Sequence, residues 1–322
     1  MGFRLIVPVI AVGLGAGAHA QTWPTKPVRL VAAYAAGGAM DMTARVIAPI
    51  LAESIGQSVV VENRVGGAGL IGAEVVVRSA PDGYAILLYA DAYTIAPSLF
   101  AKLPFDPVKD FIPITQMISG PHVLVGHPSV PAANLQELID YAKKNPAKLA
   151  YGSPGNGTPQ HLAAEMFKSM SGGLQITHIP YKGGGQVIGD VVGGQVPLAS
   201  LGLPPTVPHI KSGKLKAFAV TSKTRSRLLP DVPTFDESGL AGFETVQWWG
   251  PAVPAGTPAP VVKRLYDEFV KALANPALVE RFNQAGLEVT PSASPDAFTA
   301  FIKAEMERWP PVVKAAGAKV DN

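Results

Sequence analysis

Short apolar runs that alternate with amphipathic stretches are the feature that most constrains the fold of this 322-residue chain. Residues 28–34, 58–62 and 84–89 are apolar runs of the length typical of buried strands. Residues 41–55 and 71–79, which lie between them, have helical character and end at turn-forming residues. This strand–helix–strand–helix–strand order predicts a parallel sheet with right-handed crossover connections.

The same alternation returns in the second half of the chain and predicts a second sheet. Strands are expected at 111–119, 122–127, 149–152, 176–179, 196–201, 217–220 and 245–253, and helices at 134–144, 158–169, 186–192 and 206–212. The last helices, at 258–274, 276–285 and 295–315, have no sheet of their own, so we expect them to return to the first lobe. That return requires two chain crossings, near 118–123 and near 246–253.

Two crossings divide the chain into two α/β lobes. We expect residues 21–121 and 248–322 to form the first lobe and residues 122–247 to form the second. Two such lobes enclose a cleft and close around a ligand by hinge bending.

The first twenty residues have the features of a secretory signal peptide. Arg4 is a minimal positive region, residues 5–18 form an apolar run, and Ala18-His19-Ala20 is a small-x-small cleavage site. Cleavage is predicted after Ala20, and Gln21 in place of a cysteine argues against a lipid anchor. No later segment has the length and apolar character of a membrane span. We therefore predict a mature protein in the periplasm that is not embedded in the membrane.

Charge and composition argue against several other functions. The formal net charge is +3, and the basic residues are scattered without interleaved aromatic residues, which argues against a nucleic-acid partner. The chain has no cysteine, and its six histidines show no metal-ligand spacing, so we expect no metal and no cofactor. A monomer is the default expectation.

The first candidate binding segment follows the first predicted strand. There the strand ends, two glycines follow, and a helix begins, an arrangement that exposes backbone N–H groups and suits an anion. Asp41 is interpreted either as a helix cap or as a group that fixes the loop; the alternative for the whole segment is an ordinary strand–helix turn. The candidate residues are Tyr34, Ala36, Gly37, Gly38, Ala39, Met40 and Asp41.

The second candidate segment has the same build in the second half of the chain. A predicted strand is followed by a glycine-rich turn and a helix with a proline in its first turn. Two such helix starts, one in each lobe, would hold an acidic ligand between them. The candidate residues are Ser153, Gly155, Asn156, Gly157, Thr158, Gln160 and His161, and Tyr181 follows the next strand.

Three other patterns are weaker. The glycines at 67–72 match a dinucleotide fingerprint, but residues 62–66 separate them from the preceding strand. The glycines after Lys182 lack the spacing of a phosphate-binding loop, and Lys182 either meets a carboxylate or is solvated. A triad of Ser153, His161 and an aspartate can be drawn, but no nucleophile-elbow motif supports it.

Nine short motifs in the same order resemble the substrate-binding proteins of tripartite tricarboxylate transporters, also called Bug-type receptors. The motifs are WPTKP at 23–27, AGG at 36–38 with Asp41 and Arg45, VVENR at 60–64, PDGY at 81–84, PVKDF at 107–111, GNGT at 155–158, PYKG at 180–183, GGQV at 193–196 and LPDVPT at 229–234.

This resemblance implies a two-lobed periplasmic-binding-protein fold of type II, the Venus-flytrap kind, with two crossover strands. It also implies a non-enzymatic receptor that captures a small carboxylate for the membrane subunits of a tripartite tricarboxylate-type transporter. Family members hold carboxylate oxygens with amides and waters in the loop at 35–41, and with hydroxyls and amides in the loop at 153–161.

The sequence departs from the family pattern near the expected pocket. Met40 stands where many relatives have threonine, and Asp91 and Ala92 stand where many have small hydroxyl residues. Asp91 has three possible interpretations. It would repel a carboxylate, accept a hydrogen bond from an amine, hydroxyl or ring nitrogen of the ligand, or point away from the pocket. Leu203 belongs to the segment 200–203, in which relatives often carry an aspartate and this chain has none. Trp248, at the second crossing, either stacks on a ligand or packs in the hinge or core.

Together with Tyr34, these departures favour an aromatic or partly apolar acid over citrate. Two functions of other classes remain as alternatives. One is a sensor subunit that reports ligand occupancy to a signalling partner. The other is a secreted hydrolase or lyase on the same frame, which requires a nucleophile and a base within hydrogen-bond reach.

Overall fold

The strands form where the sequence predicts short apolar runs. The computed structural model describes residues 23–34, 36–37 and 39–318. Its strands are β1 (Val28–Ala32), β2 (Val59–Asn63), β3 (Ala85–Ala90), β4 (Phe111–Pro113), β5 (Ile118–Gly126), β6 (Leu149–Ser153), β7 (Ile176–Pro180), β8 (Leu198–Gly202), β9 (Lys216–Val220), β10 (Val246–Pro254) and β11 (Glu288–Val289).

Five of the described helices begin where a side chain accepts a hydrogen bond from one of their first N–H groups. Asn134 accepts a hydrogen bond from the Glu137 amide (2.9 Å), and Glu137 accepts one from the Ala133 amide (2.8 Å), much as their spacing predicts. The helices are α1 (Ala39–Ile55), α2 (Leu70–Val77), α3 (Ala92–Leu99), α4 (Leu135–Lys144), α5 (Pro159–Met170), α6 (Gly184–Val192), α7 (Leu203–Lys211), α8 (Ala259–Leu273), α9 (Pro276–Gln284) and α10 (Pro295–Ala316). The five that begin at such a side chain are α3, α4, α5, α9 and α10.

The first half of the chain builds the predicted parallel sheet. β1 lies between β2 and β3 and is parallel to both. β10 runs antiparallel to β3 and also pairs with β4 and β5. Because β1 and β3 are parallel, their carboxyl ends share one edge of the sheet, and α1 and α3 begin there.

β5 belongs to two sheets. Its residues 118–121 pair with β10 and β11, and its residues 122–126 pair with β8 and β9. Beyond β8, the strands β6 and β7 complete a parallel set. The pairings Ala90–Trp249 and His122–Gly202 place the ends of β3 and β8 close to the point where β5 passes from one sheet to the other.

Each sheet has its own apolar core. One cluster packs around β1, β3 and β10, and two clusters pack against the second sheet, with Leu124 in one and Val123 and Val125 in the other. This split follows from the alternation of side chains along a strand. A fourth cluster joins α3, α5 and α10, so α10 packs against helices that follow strands of both sheets.

Two local features differ from the sequence analysis. The sequence predicts no helix or strand between the third strand and residue 111, but residues Ala92–Leu99 form helix α3; its residues Tyr93, Thr94, Ile95 and Ala96 are all buried, so no amphipathic period marks it. The predicted strands at 111–119 and 122–127 are instead the short β4 and the continuous β5. Residues 114–117, between β4 and β5, lie opposite only residues 250–251 of β10, so the strand pairing is interrupted there although the Ile114 amide still bonds to the Pro251 carbonyl.

Close packing explains the glycines that match a dinucleotide fingerprint. A Cβ on Gly72 would lie 2.9 Å from the Cα of Ala33, so glycine lets α2 pack against the end of β1. Among the described helices, none combines the length and apolar content needed to cross a membrane. The signal peptide predicted at 1–20 lies outside the described residues.

Candidate functional site

The loop between β1 and α1 is held in shape by the carboxylate of Asp41. The Gly37 amide donates to Asp41 Oδ2 (2.9 Å), and Arg45 Nε, one helical turn later, donates to the same oxygen (3.0 Å). Gly37 has a φ of 81°, a conformation that favours glycine. Of the two alternatives for Asp41, the structure supports the one in which it fixes the loop.

Asn63 and Arg45 position this loop and were missing from the predicted site. Asn63 Nδ2 donates to the Tyr34 carbonyl (3.0 Å), and Arg45 donates to Asn63 Oδ1 (3.3 Å). Both residues fall in the motifs that carry the family resemblance, and that was the signal available in the sequence. The end of β2 is thereby fastened to the loop that follows β1.

The charge of Asp41 is compensated within this network. Burial would raise the pKa of its carboxyl, but hydrogen bonds from Arg45, the Gly37 amide and Asn63 outweigh that effect and hold the pKa below its ordinary value. Asp41 is therefore ionised at neutral pH and paired with the Arg45 guanidinium. A ligand anion near this loop would meet an ion pair and not a free negative charge.

The other candidates in this segment lie on both sides of the loop. Ala36 and Gly37 are exposed, Tyr34 and Ala39 are half-buried, and Met40 is buried in the first core cluster. Gly38 lies outside the described residues. The exposed positions are those from which the backbone is accessible to a ligand.

The loop between β6 and α5 is also shaped from within. Thr158 caps α5 by accepting from the His161 amide (3.3 Å), and its hydroxyl donates to the Gly155 carbonyl (2.8 Å). The Gly157 amide donates to His161 Nδ1 (3.1 Å), and the Gly155 amide donates to Ser153 Oγ (3.3 Å). These bonds fix the loop without any ligand.

Hydrogen bonds inside the two loops occupy some of the amides that the sequence analysis assigned to anion binding. The amides of Gly37 and Gly157 donate inside their own loops, so both glycines shape the loops. In the loop at 153–161, the Pro residues have no N–H, which leaves the amides of exposed Asn156 and half-buried Gln160 without partners among the described residues.

His178, which the sequence did not single out, completes the second loop. Its Nε2 lies 2.7 Å from Ser153 Oγ, and its ring stacks on His161 at a centroid distance of 4.0 Å and on Tyr151 at 4.8 Å. Strand alternation places His178 opposite Tyr151 in β6, but the stack itself depends on tertiary packing.

This serine–histidine contact does not form a nucleophile–base pair. Burial lowers the pKa of His161 to about 4, with a smaller effect from Lys168. Burial likewise lowers the pKa of His178 to about 4, with a smaller effect from His161. Both rings are therefore neutral and weakly basic at neutral pH. Ser153 Oγ already contacts His178 and accepts a hydrogen bond from the Gly155 amide, and the residue is buried. The pair therefore serves as a structural support of the loop.

Asp91 caps the helix that the sequence did not predict. Its Oδ1 accepts from the Ala92 amide (2.9 Å), and its own amide donates to the Trp248 carbonyl (3.1 Å). Only 5% of the residue is exposed, and its Oδ2 has no hydrogen-bond partner among the described residues. Burial, partly offset by the Ala92 hydrogen bond and reinforced by Glu305, raises the pKa of Asp91 to about 8.

Three further candidates contribute mainly through packing or backbone. Trp248 is fully buried against the rings of Tyr89 and Phe298, which fits the hinge or core alternative. Leu203 is fully buried in a core cluster of the second sheet. The Tyr181 amide donates to the Ser153 carbonyl (3.0 Å) and its hydroxyl to Asp190 (2.7 Å), while Lys182 is exposed.

The starts of α3 and α5 are brought to one place by the fourth apolar cluster. Leu162 follows His161 directly, and Ile95 lies one helical turn after Asp91; both belong to this cluster with Trp309 of α10. The starts of α3 and α5 therefore share a common support on α10, and the starts of α1 and α3 lie at one edge of the first sheet.

Two α/β sheets joined through β5 and β10, with helices that begin at the carboxyl ends of strands in both sheets, define a two-lobed periplasmic-binding-protein fold. Residues 43–318 match the family model described as "Tripartite tricarboxylate transporter family receptor". The chain belongs to this family of Bug-type receptors, as the nine sequence motifs predict.

Solved structures of similar proteins support the assignment. The periplasmic binding protein BugD is 39% identical, with a TM-score of 0.83, and the match covers 92% of this chain and 100% of that one. Rpa4515 of R. palustris with adipate is 34% identical, with a TM-score of 0.85 and coverage of 92% and 100%. MatC of Rhodopseudomonas palustris with bound malate is 30% identical, with a TM-score of 0.81 and coverage of 90% and 100%. These relatives are binding proteins, and this chain is a binding protein and not an enzyme.

Proposed function

We propose that the chain captures a small carboxylate in the periplasm and delivers it to the membrane subunits of a tripartite tricarboxylate-type transporter. The observation that carries the proposal is the pair of pre-shaped, glycine-containing loops that open onto the starts of α1 and α5. Such helix starts attract anions because their first N–H groups lack helical partners and carry partial positive charge. Adipate and malate in two similar proteins are carboxylates of the proposed class.

The proposed mechanism is reversible closure. Residues 21–121 with 248–322 form one lobe and 122–247 the other, and export follows cleavage after Ala20. One carboxylate meets the loop that contains Gly37, and another acidic or polar group meets the Asn156 and Gln160 amides. Closure excludes water, which strengthens charge-assisted hydrogen bonds in the drier cleft.

The apolar part of the ligand would pack beside Tyr34. Tyr34 is half-buried and packs against the first core cluster, to which the buried Met40 belongs, so apolar side chains lie next to the first loop. This favours an acid with a methylene chain or a ring over citrate, which carries three carboxylates on a short chain.

A thermal-shift screen of organic acids tests this proposal. We expect several-degree increases in the melting temperature with a subset of mono- and dicarboxylates at millimolar concentration, because a ligand that binds only the folded state stabilises it by mass action. The corresponding primary amides are the controls and should give no shift. Equal shifts for an acid and its amide, or no shift with any acid, would contradict capture of a carboxylate.

Thr158→Ala tests the second loop. The change removes both the cap of α5 and the bond to the Gly155 carbonyl, so we expect an acid from that screen to bind about tenfold more weakly by calorimetry. Thr158→Ser keeps the hydroxyl and should retain wild-type affinity. If alanine and serine variants bind equally well, the loop does not contribute to the site.

A further inference from the structure

A fully buried histidine occupies the point where the chain passes between the two sheets. His122 pairs with Gly202, the last residue of β8, and Gln247 of β10 pairs with Gly120. Directly paired residues of antiparallel strands project to the same face, and Gly120 and His122 are two residues apart in β5. His122 and Gln247 therefore share one face at the junction.

The Gln247 side chain lies over both glycines. A Cβ on Gly202 would lie 3.3 Å from Gln247 Oε1, which is a tight contact, and a Cβ on Gly120 would lie 3.6 Å from Gln247 Nε2, an ordinary contact, and 2.8 Å from Cδ2 of Leu287. The Gln247 amide thus extends across both glycines toward the strand position that His122 occupies.

The polar atoms on this face have no protein partners. His122 has 0% exposed surface, and neither of its ring nitrogens has a hydrogen-bond partner among the described residues. Gln247 is 8% exposed, and its Nε2 is likewise buried without a partner in the described part of the chain. An unsatisfied buried polar group is costly, so three such atoms on one face indicate a group that the chain itself does not supply.

The position of this face connects it to the proposed site. Gly202 ends β8, and Trp248, next to Gln247, accepts the hydrogen bond from the Asp91 amide at the end of β3. In α/β folds, ligands bind in the crevice outside the carboxyl ends of parallel strands. His122 and Gln247 lie between two such ends, on the strands that form the floor of the cleft.

The hydrogen-bonding groups of His122 and Gln247 determine which kind of ligand group these two side chains would bind. Burial lowers the pKa of His122 to about 3, so its ring is neutral and has one N–H donor and one acceptor nitrogen. The Gln247 Nε2 adds a donor. A hydroxyl group both donates and accepts, and it matches this set, whereas a second carboxylate would find an acceptor nitrogen facing it and no positive charge.

We propose that His122 and Gln247 form a subsite at the floor of the cleft that binds a hydroxyl group of the ligand. The ligand class is then a hydroxy acid, whose carboxylate meets the loops at the starts of α1 and α5. This inference rests on the proposed function and adds a determinant of specificity to it.

Matched pairs of acids that differ by one hydroxyl test the subsite. The probes are succinate with malate and phenylacetate with mandelate, and affinities are measured by calorimetry for the full mature chain. We expect the wild type to bind the hydroxylated member of at least one pair about tenfold more tightly. His122→Phe and the nearly isosteric Gln247→Met should abolish that preference and leave the affinity for the unhydroxylated acid unchanged.

His127→Phe is the matched control, because His127 follows the other end of β5 and its Nδ1 is already bonded to Ser129 Oγ (2.7 Å). It should keep the wild-type preference. The subsite alone is contradicted if the wild type binds acids without a hydroxyl preference. It is also contradicted if the preference survives in His122→Phe or in Gln247→Met, whichever of the two folds. Failure of every acid to bind overturns the proposed function itself.

Discussion

Trp309→Ala is expected to lower the free energy of unfolding by about 3–5 kcal/mol, the usual cost of removing a buried tryptophan. The Trp309 side chain is 1% exposed and packs with Ile95 of α3 and Leu162 of α5. No other described cluster joins helices that follow strands of both sheets in this way. The variant should therefore also bind acids more weakly, since the starts of α3 and α5 lose their common support.

Phe218→Ala is the control for this result. Phe218 is 1% exposed and lies within the core of the second sheet. Its removal should cost a similar amount of stability, measured by urea unfolding, while the affinity for an acid stays near the wild-type value. If both variants lose the same affinity, or neither does, the α3–α5–α10 cluster has no specific role in shaping the site.

Asp91 is expected to contribute a decrease in the free energy of unfolding as the pH rises from about 5 to 7. The neutral histidines His122, His161 and His178, whose pKa values are lowered by burial, contribute an increase over the same range, so the Asp91 contribution is read as a difference between variants. The pKa of the Asp91 carboxyl is raised from an ordinary value of 3.8 to about 8, primarily by burial. Between these values Asp91 keeps a proton in the folded chain that it releases in the unfolded chain, so its contribution to stability decreases by up to about 1.4 kcal/mol per pH unit. The groups that face Asp91 are Tyr34, Tyr93 and Glu305, none of which supplies a positive charge.

Asp91→Asn isolates this contribution. Asparagine stays uncharged, and its Oδ1 still accepts from the Ala92 amide as a helix cap. The gap in stability between the variant and the wild type should widen in favour of the variant by about 3 kcal/mol between pH 5 and pH 7. The exposed Asp140 of α4, changed to asparagine, should leave the profile of the wild type unchanged. Parallel profiles for wild type and Asp91→Asn would show that Asp91 is ionised in the folded chain.

The local rules of the sequence predict most of the secondary structure. The runs at 58–62 and 84–89 lie within one residue of β2 and β3, because a short apolar run between turn residues has few alternatives to a buried strand. Helix α4 starts at its predicted cap because the Asn134–Glu137 spacing satisfies its first amides.

The parts that escaped prediction depend on contacts between distant segments. Helix α3 has four consecutive buried residues, 93–96, so its burial does not follow the helical period that would distinguish it from a loop. The stack of His178 on His161, and the bond from Asn63 to the Tyr34 carbonyl, join residues on separate elements. Spacing along the chain predicted two candidate binding loops, but it could not show that Gly37 and Gly157 direct their amides inward.

A crystal structure of the protein with an acid from the thermal-shift screen would show whether the two loops hold the ligand. We expect carboxylate oxygens 2.7–3.2 Å from backbone amides of the loop at 153–161, with the same molecule in contact with the loop at 34–41. An acid bound elsewhere, for example in the cavity lined by residues 119–121 and 222–228, with both loops empty, would contradict the proposed site.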